Sequence, residues 1–330
     1  MKFFLEKIGD KRLENIAGCI YPSNVKQFEK IQKQFPEYDA SFLWLLCYQN
    51  EGAPFTIKYI EENYKKFHQV LDSGFLKIIS AQGNFISRMW EMIICDIINS
   101  SGKLIPKKQP GADFLLELKD GEQVQIEAVA PDESDDENLR SQRPDYSSGN
   151  IVELGGNIED VERPILLRVF SNGINEKAGK YQKDKPLIIA INSCKVVGTI
   201  SDDNYVLRRI LFGLGFYTKK QNDKFWSFQQ NPLLNKPDRE KFPVAIFRNF
   251  EFEHISGIIY TSQGPMGLIP GGYGWVNHGI TFVPNPLAKY KVDINFPFFR
   301  RIECNEQIYQ EIEAEQEFKS SVSITDRSDS

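Results

Sequence analysis

The chain has 330 residues, of which 41% are hydrophobic, 12% aromatic and 26% charged, with a formal net charge of −5. That is enough to bury a sizeable core in one large domain with appendages, or in two. No run of about 18 apolar residues occurs, which argues against a membrane span, and the charged start MKFFLEKIGDKRLENIAG is broken too early for a secretory signal, so a cytoplasmic protein is expected.

The five cysteines, Cys19, Cys47, Cys95, Cys194 and Cys304, are odd in number, scattered and without a CxxC pair. They read as free thiols, with neither a disulfide framework nor a zinc site. Charge is unevenly distributed: residues 111–200 hold 10 basic against 17 acidic side chains, and residues 206–248 hold 9 basic against 3 acidic.

From the N-terminus, the pattern predicts helices over 24–35, over 39–49 with Asp39 as N-cap, and over 56–74 with Thr56 as cap and Gly74 as stop. These form a helical subdomain over residues 1–80. In NFISRMWEMIICDIINSSG (84–102), Phe85, Met89, Met92, Ile93 and Ile97 recur at helical intervals, and Ser100, Ser101 and Gly102 end the helix. KLIPKK, ADFLLEL and EQVQIEAVA follow as strands of an antiparallel meander, with KDGE (119–122) supplying an Asp-Gly hairpin turn.

Residues 131–162 are acidic and lack periodicity, as in a long insertion within a domain. PILLRVF (164–170) reads as a strand or helix lead-in, SNGINEKAGKYQK (171–183) as a weak helix and PLIIAINS (186–193) as a fully buried strand. Residues 81–200 therefore make one core unit. Beyond it, residues 201–315 read as an α+β extension, with a helix over 202–215 capped by Asp202 or Asp203 and strands at VAIFRN, ISGIIYTS and GITFVPNP. The glycine-rich stretch over 264–279 fits neither GxxxxGK[ST] nor GxGxxG. Residues 316–330 read as a disordered tail.

Two carboxylates stand out because each sits within an apolar strand. Asp113 shares a face of its strand with Leu115, while Gln125, Glu127 and Val129 share a face of the next, and a tight hairpin brings the acids near each other. Burying two unpartnered carboxylates together costs several kcal/mol, about 2 or more each, in desolvation and repulsion. A hard cation removes that penalty: Mg2+ takes one or two carboxylates together with waters and substrate phosphate. Glu91, on the preceding helix among apolar neighbours, offers a third carboxylate.

Acid on a helix, acid on a strand, and acid on the paired strand resembles the PD-(D/E)xK nuclease superfamily over residues 84–193, about a third of the chain. GAD (111–113) stands where that family has its PD, and IEAV (126–129) where it has (D/E)xK. The resemblance implies an α/β protein with a restriction-endonuclease-like core of helix, three-stranded meander, helix and strand. It implies Mg2+, with Mn2+ as substitute, held by Asp113 and Glu127, cleavage of phosphodiester bonds, and DNA as partner; it admits a homodimer.

Ala112 replaces the motif proline and Val129 the motif lysine. The family can supply that lysine from a neighbouring element, for which Lys177 is the first candidate and Lys180, one turn on, the second. In this reading Glu91 contributes through water or a second ion, Lys177 meets developing charge and Gln125 contacts the attacking water. The stretch 206–248 interleaves Arg208, Arg209, Lys219, Lys220 and Lys224 with rings such as Trp226, a composition suited to phosphates and bases. The alternative is a protein that keeps the nuclease fold, has lost the chemistry and acts as a binding module for nucleic acid or protein.

Overall fold

The computed structural model describes residues 2–18, 25–47, 52–106, 111–131, 174, 181, 184–195, 207, 211–212, 216–218, 227–229, 233–235, 241–243, 246–248, 250–269, 279–294, 296 and 299–301. It is a mixed α/β structure, with helices ahead of an open sheet in the chain.

The N-terminal helices are α1 (Lys2–Ile8), α2 (Val25–Gln34), α3 (Ala40–Cys47), α4 (Gly52–Phe67) and α5 (Phe75–Ser80). Asp39 caps α3 as expected, its Oδ1 accepting from the amides of Ser41 at 2.8 Å and Phe42 at 3.4 Å. Two expectations are corrected. Helix α4 begins at Gly52, four residues ahead of Thr56, because Pro54 falls in the first turn, where a missing amide hydrogen costs nothing; Thr56 lies inside the helix and is buried. Gly74 does not stop that helix. Helix α4 closes at Phe67, whose carbonyl accepts from Val70 and Leu71, and Gly74, at φ 76°, starts α5.

Helix α6 (Phe85–Ile98) is more deeply set than a one-faced amphipathic helix. Beyond the predicted apolar positions it buries Trp90, Ile94, Cys95 and Ile98, so apolar contact runs nearly all round. Its outer contacts are to α4, where Tyr59 and Lys66 both bind Asp96, at 3.2 and 3.3 Å. Its inner contact is to the sheet, where the Trp90 indole donates to the Ala190 carbonyl at 3.0 Å. That bond fixes the rotation of the helix, and with it the direction of Glu91, the next residue.

Seven strands form one sheet in the order β1-β2-β3-β4-β9-β10-β11: β1 (Lys103–Ile105), β2 (Phe114–Glu117), β3 (Gln123–Val129), β4 (Leu187–Asn192), β9 (Ile255–Thr261), β10 (Ile280–Pro284) and β11 (Phe299–Arg301). The first three make the predicted antiparallel meander. Strand β4 lies parallel to β3 and β9 parallel to β4, so strands from the C-terminal part continue the same sheet; β10 is antiparallel to β9 and β11 parallel to β10. Four short strands, β5 (Phe216–Thr218) with β6 (Ser227–Gln229) and β7 (Leu233–Asn235) with β8 (Lys241–Pro243), form two separate antiparallel pairs that the sequence did not suggest.

The β2–β3 turn behaves as Asp-Gly demands. Gly121 adopts φ 87°, the Leu118 amide donates to the Glu122 carbonyl at 2.8 Å, and Asp120 accepts from the Glu122 amide at 3.0 Å. The strand expected at VAIFRN is instead a 3-10 turn over Ile246–Arg248, with Ile246 and Phe247 buried as anchors.

Alternation along the strands separates two cores. Val124, Ile126, Ala128, Ile188 and Ala190 pack with Trp90 and the helices, while Leu187, Ile189, Ile191 and Tyr260 pack with Phe212 and Phe247, with Val129 and Tyr181 against them. Strand β4 is buried at all six positions, as a strand covered on both faces must be. Among the described residues, no helix is long and apolar enough to cross a membrane.

Candidate functional site

The hairpin sets the site. Phe114 pairs with Ile126, so the next step outward brings Asp113 opposite Glu127, where the backbone ladder of the hairpin ends. Side chains take over there. The Asp113 amide donates to Glu127 Oε2 at 3.1 Å, and the Ala128 amide donates to Asp113 Oδ2 at 2.9 Å. Each carboxylate thus accepts a backbone amide from the opposite strand. Glu127 is 3% exposed and Asp113 half-buried, so the pair sits between core and solvent.

Glu91 joins from α6. Burial, and after it the charge of Asp113, pushes its carboxyl up to about 7, against the pull of Arg88. Arg88 Nη1 donates to Glu91 Oε2 at 2.7 Å and to Asp72 Oδ2 at 2.9 Å, tying the acid to the loop between α4 and α5. The carboxylates of Asp113, Glu127 and Glu91 thus belong to one electrostatic neighbourhood.

A residue that sequence reasoning missed completes the arrangement. The Tyr181 hydroxyl hydrogen-bonds Glu127, and burial, that hydrogen bond and the charges of Glu127 and Asp113 hold the phenol far above its ordinary range. The one available hint was its spacing of four residues from Lys177, which on a helix puts both on one face.

Gln125 lies two positions before Glu127 on the same face of β3, as expected. Its backbone amide donates to the Pro186 carbonyl at 2.9 Å, but its side-chain Nε2 is sealed from solvent without a hydrogen-bond partner among the described residues. A buried amide nitrogen left unpaired costs about 1–3 kcal/mol.

The remaining candidates, Lys177 with its second choice Lys180, and Arg208, Arg209, Lys219, Lys220, Lys224 and Trp226, lie outside the described residues. Among the described residues, no three His, Cys, Asp or Glu side chains converge closely enough to grip a metal ion between them. Asp113 and Glu127 are a two-carboxylate set, which fits Mg2+, an ion that usually keeps several waters and takes one or two carboxylates. Cys47 and Cys95 are buried and Cys194 is half-buried, none of them in a disulfide, while Cys19 and Cys304 lie outside the described residues.

The chain matches no protein-family model, no curated protein and no solved structure in the comparisons made with each.

Proposed function

We propose that the chain is a Mg2+-dependent nuclease that hydrolyses phosphodiester bonds in DNA, built on a restriction-endonuclease-like core. The observation that carries this reading is the reciprocal bonding of Asp113 and Glu127 at the mouth of the hairpin, with Glu91 coupled to Asp113 from α6. The order of helix α6, antiparallel meander β1-β2-β3 and parallel β4 supports it as well.

Asp113 and Glu127 would hold the ion, which when bound polarises a phosphoryl oxygen and lowers the pKa of a bound water. The chain's own groups prepare the site. Backbone amides and the Tyr181 hydroxyl fix the carboxylate oxygens, and Trp90 fixes the helix that carries Glu91. Gln125 stands on the face of Glu127, but its Nε2 is sealed from solvent, so a contact with the attacking water requires its side chain to turn outward.

One observation favours a second reading, a binding module on the same scaffold. Position 129, two residues beyond Glu127 on the same face, holds Val129, which packs into the apolar cluster instead of presenting a cation. Supercoiled plasmid, linear duplex and single-stranded DNA, each with Mg2+ or Mn2+, separate the two. Cleavage lost in Glu127→Gln supports the enzyme, and binding without metal or cleavage supports the module.

A further inference from the structure

The site gathers negative charge and must then admit a phosphate, which is negative too. Strand β3 brings no cation to it, since Val129 occupies the next position on the face of Glu127. Among the described residues, Arg88 brings a cation to Glu91, the helix-borne acid of the cluster. Its Nη1 is shared between Asp72 Oδ2 and Glu91 Oε2, but its Nε and Nη2 make no hydrogen bond to any described residue. The Arg88 side chain is 22% exposed and Nε and Nη2 are not sealed in the core, so both donors can be reached from solvent beside Glu91.

The chemistry of the group suits the gap. A guanidinium presents parallel N–H bonds that match two nonbridging phosphate oxygens, and it stays charged under any working condition. The Nη1 bonds to two acids on different elements hold the fork in place before substrate arrives, so little rotamer entropy remains to be lost on binding. The position is also set from the core: Arg88 and Glu91 flank Trp90, whose indole is bonded to Ala190, the register partner of Ala128. The amide of Ala128 in turn holds Asp113, so a short bonded path links the guanidinium's helix to the acid pair.

We propose that Arg88 binds the phosphate of the scissile nucleotide, using Nε and Nη2 while Nη1 remains on Glu91 and Asp72. This rests on the nuclease reading above and adds a substrate-binding residue that the family resemblance did not supply.

The test uses the full chain with a short synthetic duplex, comparing wild type with Arg88→Ala and Arg88→Lys. Cleavage is followed with Mg2+, and binding with Ca2+ across a salt series. Losing one phosphate contact lowers the slope of log affinity against log salt by about 0.9 in Arg88→Ala, whereas Arg88→Lys, which keeps the charge, retains the slope. Removing a donor to developing charge lowers cleavage by about 10²–10³ in Arg88→Ala. A purely structural role would leave the salt slope of a folded Arg88→Ala unchanged, and that result, or cleavage within about twofold of wild type, overturns the proposal. If Arg88→Ala fails to fold by thermal melting, Arg88→Lys decides: losing the fork while keeping the charge reduces cleavage at a constant salt slope, and unchanged cleavage overturns the proposal. A wild type inert on every DNA substrate overturns the nuclease reading together with this one, whereas an active wild type with an equally active Arg88→Ala overturns this one alone.

Discussion

Asp113 and Glu127 hold each other's strands: the amide of Asp113 donates to Glu127 Oε2 at 3.1 Å, and Asp113 Oδ2 accepts the amide next to Glu127 at 2.9 Å. Both acids are therefore structural acceptors as well as candidate ligands. Variants must keep the acceptor and remove the charge. Asp113→Asn does so, because its carbonyl oxygen still accepts from Ala128. We expect Asp113→Asn to fold with a melting temperature close to wild type and to lose metal-dependent DNA cleavage by at least about 10², the scale of removing one group that stabilises developing charge. Parallel melting curves and cleavage rates check it.

Glu91 gives a pH prediction whose sign follows from its raised carboxyl. The group stands near 7 in the fold against 4.5 for an unperturbed glutamate, so the fold binds its proton more tightly than the unfolded chain does. That stabilisation is full below about 4.5 and is lost as pH rises to about 7. At about 1.4 kcal/mol per unit, the loss is on the order of 3 kcal/mol. Glu91→Gln, which cannot ionise, should flatten the pH dependence of urea unfolding between pH 5 and pH 8, whatever its effect on absolute stability. An unchanged slope would contradict the burial of this acid beside Asp113.

Tyr181→Phe removes one hydroxyl from Glu127 and leaves the ring against the second core. Groups that orient a metal-binding side chain are typically worth 10–100-fold in affinity or activity, so cleavage or metal affinity should fall by about that factor. Stability should change by about 1 kcal/mol, the scale of one hydrogen bond. Titration calorimetry with Mn2+ and thermal melting measure the two effects separately.

Gly102 is required by contact. A Cβ there would overlap the Glu117 carbonyl oxygen and press on the Leu116 side chain at 3.0 Å, where β1 meets β2. Gly102→Ala should cost about 1–3 kcal/mol, as overpacking does, read as a lower urea midpoint with an unchanged m-value.

Much of the site was legible because its determinants are local. The Asp-Gly turn sets the register, the register puts Asp113 opposite Glu127, and the period of α6 follows from its apolar residues. Tyr181 was not legible, since nothing in a weak helical pattern says which strand a residue 54 positions after Glu127 will meet. The pairing of β4 with β9 was hidden for the same reason: it joins segments more than 60 residues apart, and an apolar strand pattern names no partner. At Ile246–Arg248 the apolar pair satisfied a strand pattern and a buried 3-10 turn equally well, and tertiary packing chose the turn.

Mn2+ binding, followed by the loss of its free-ion paramagnetic resonance signal in wild type, Asp113→Asn and Glu127→Gln, tests the two-carboxylate metal site most directly. The account predicts one bound ion per chain in the wild type, weakened at least about tenfold in each variant. Equal Mn2+ binding by all three proteins, or none by the folded wild type, would contradict it.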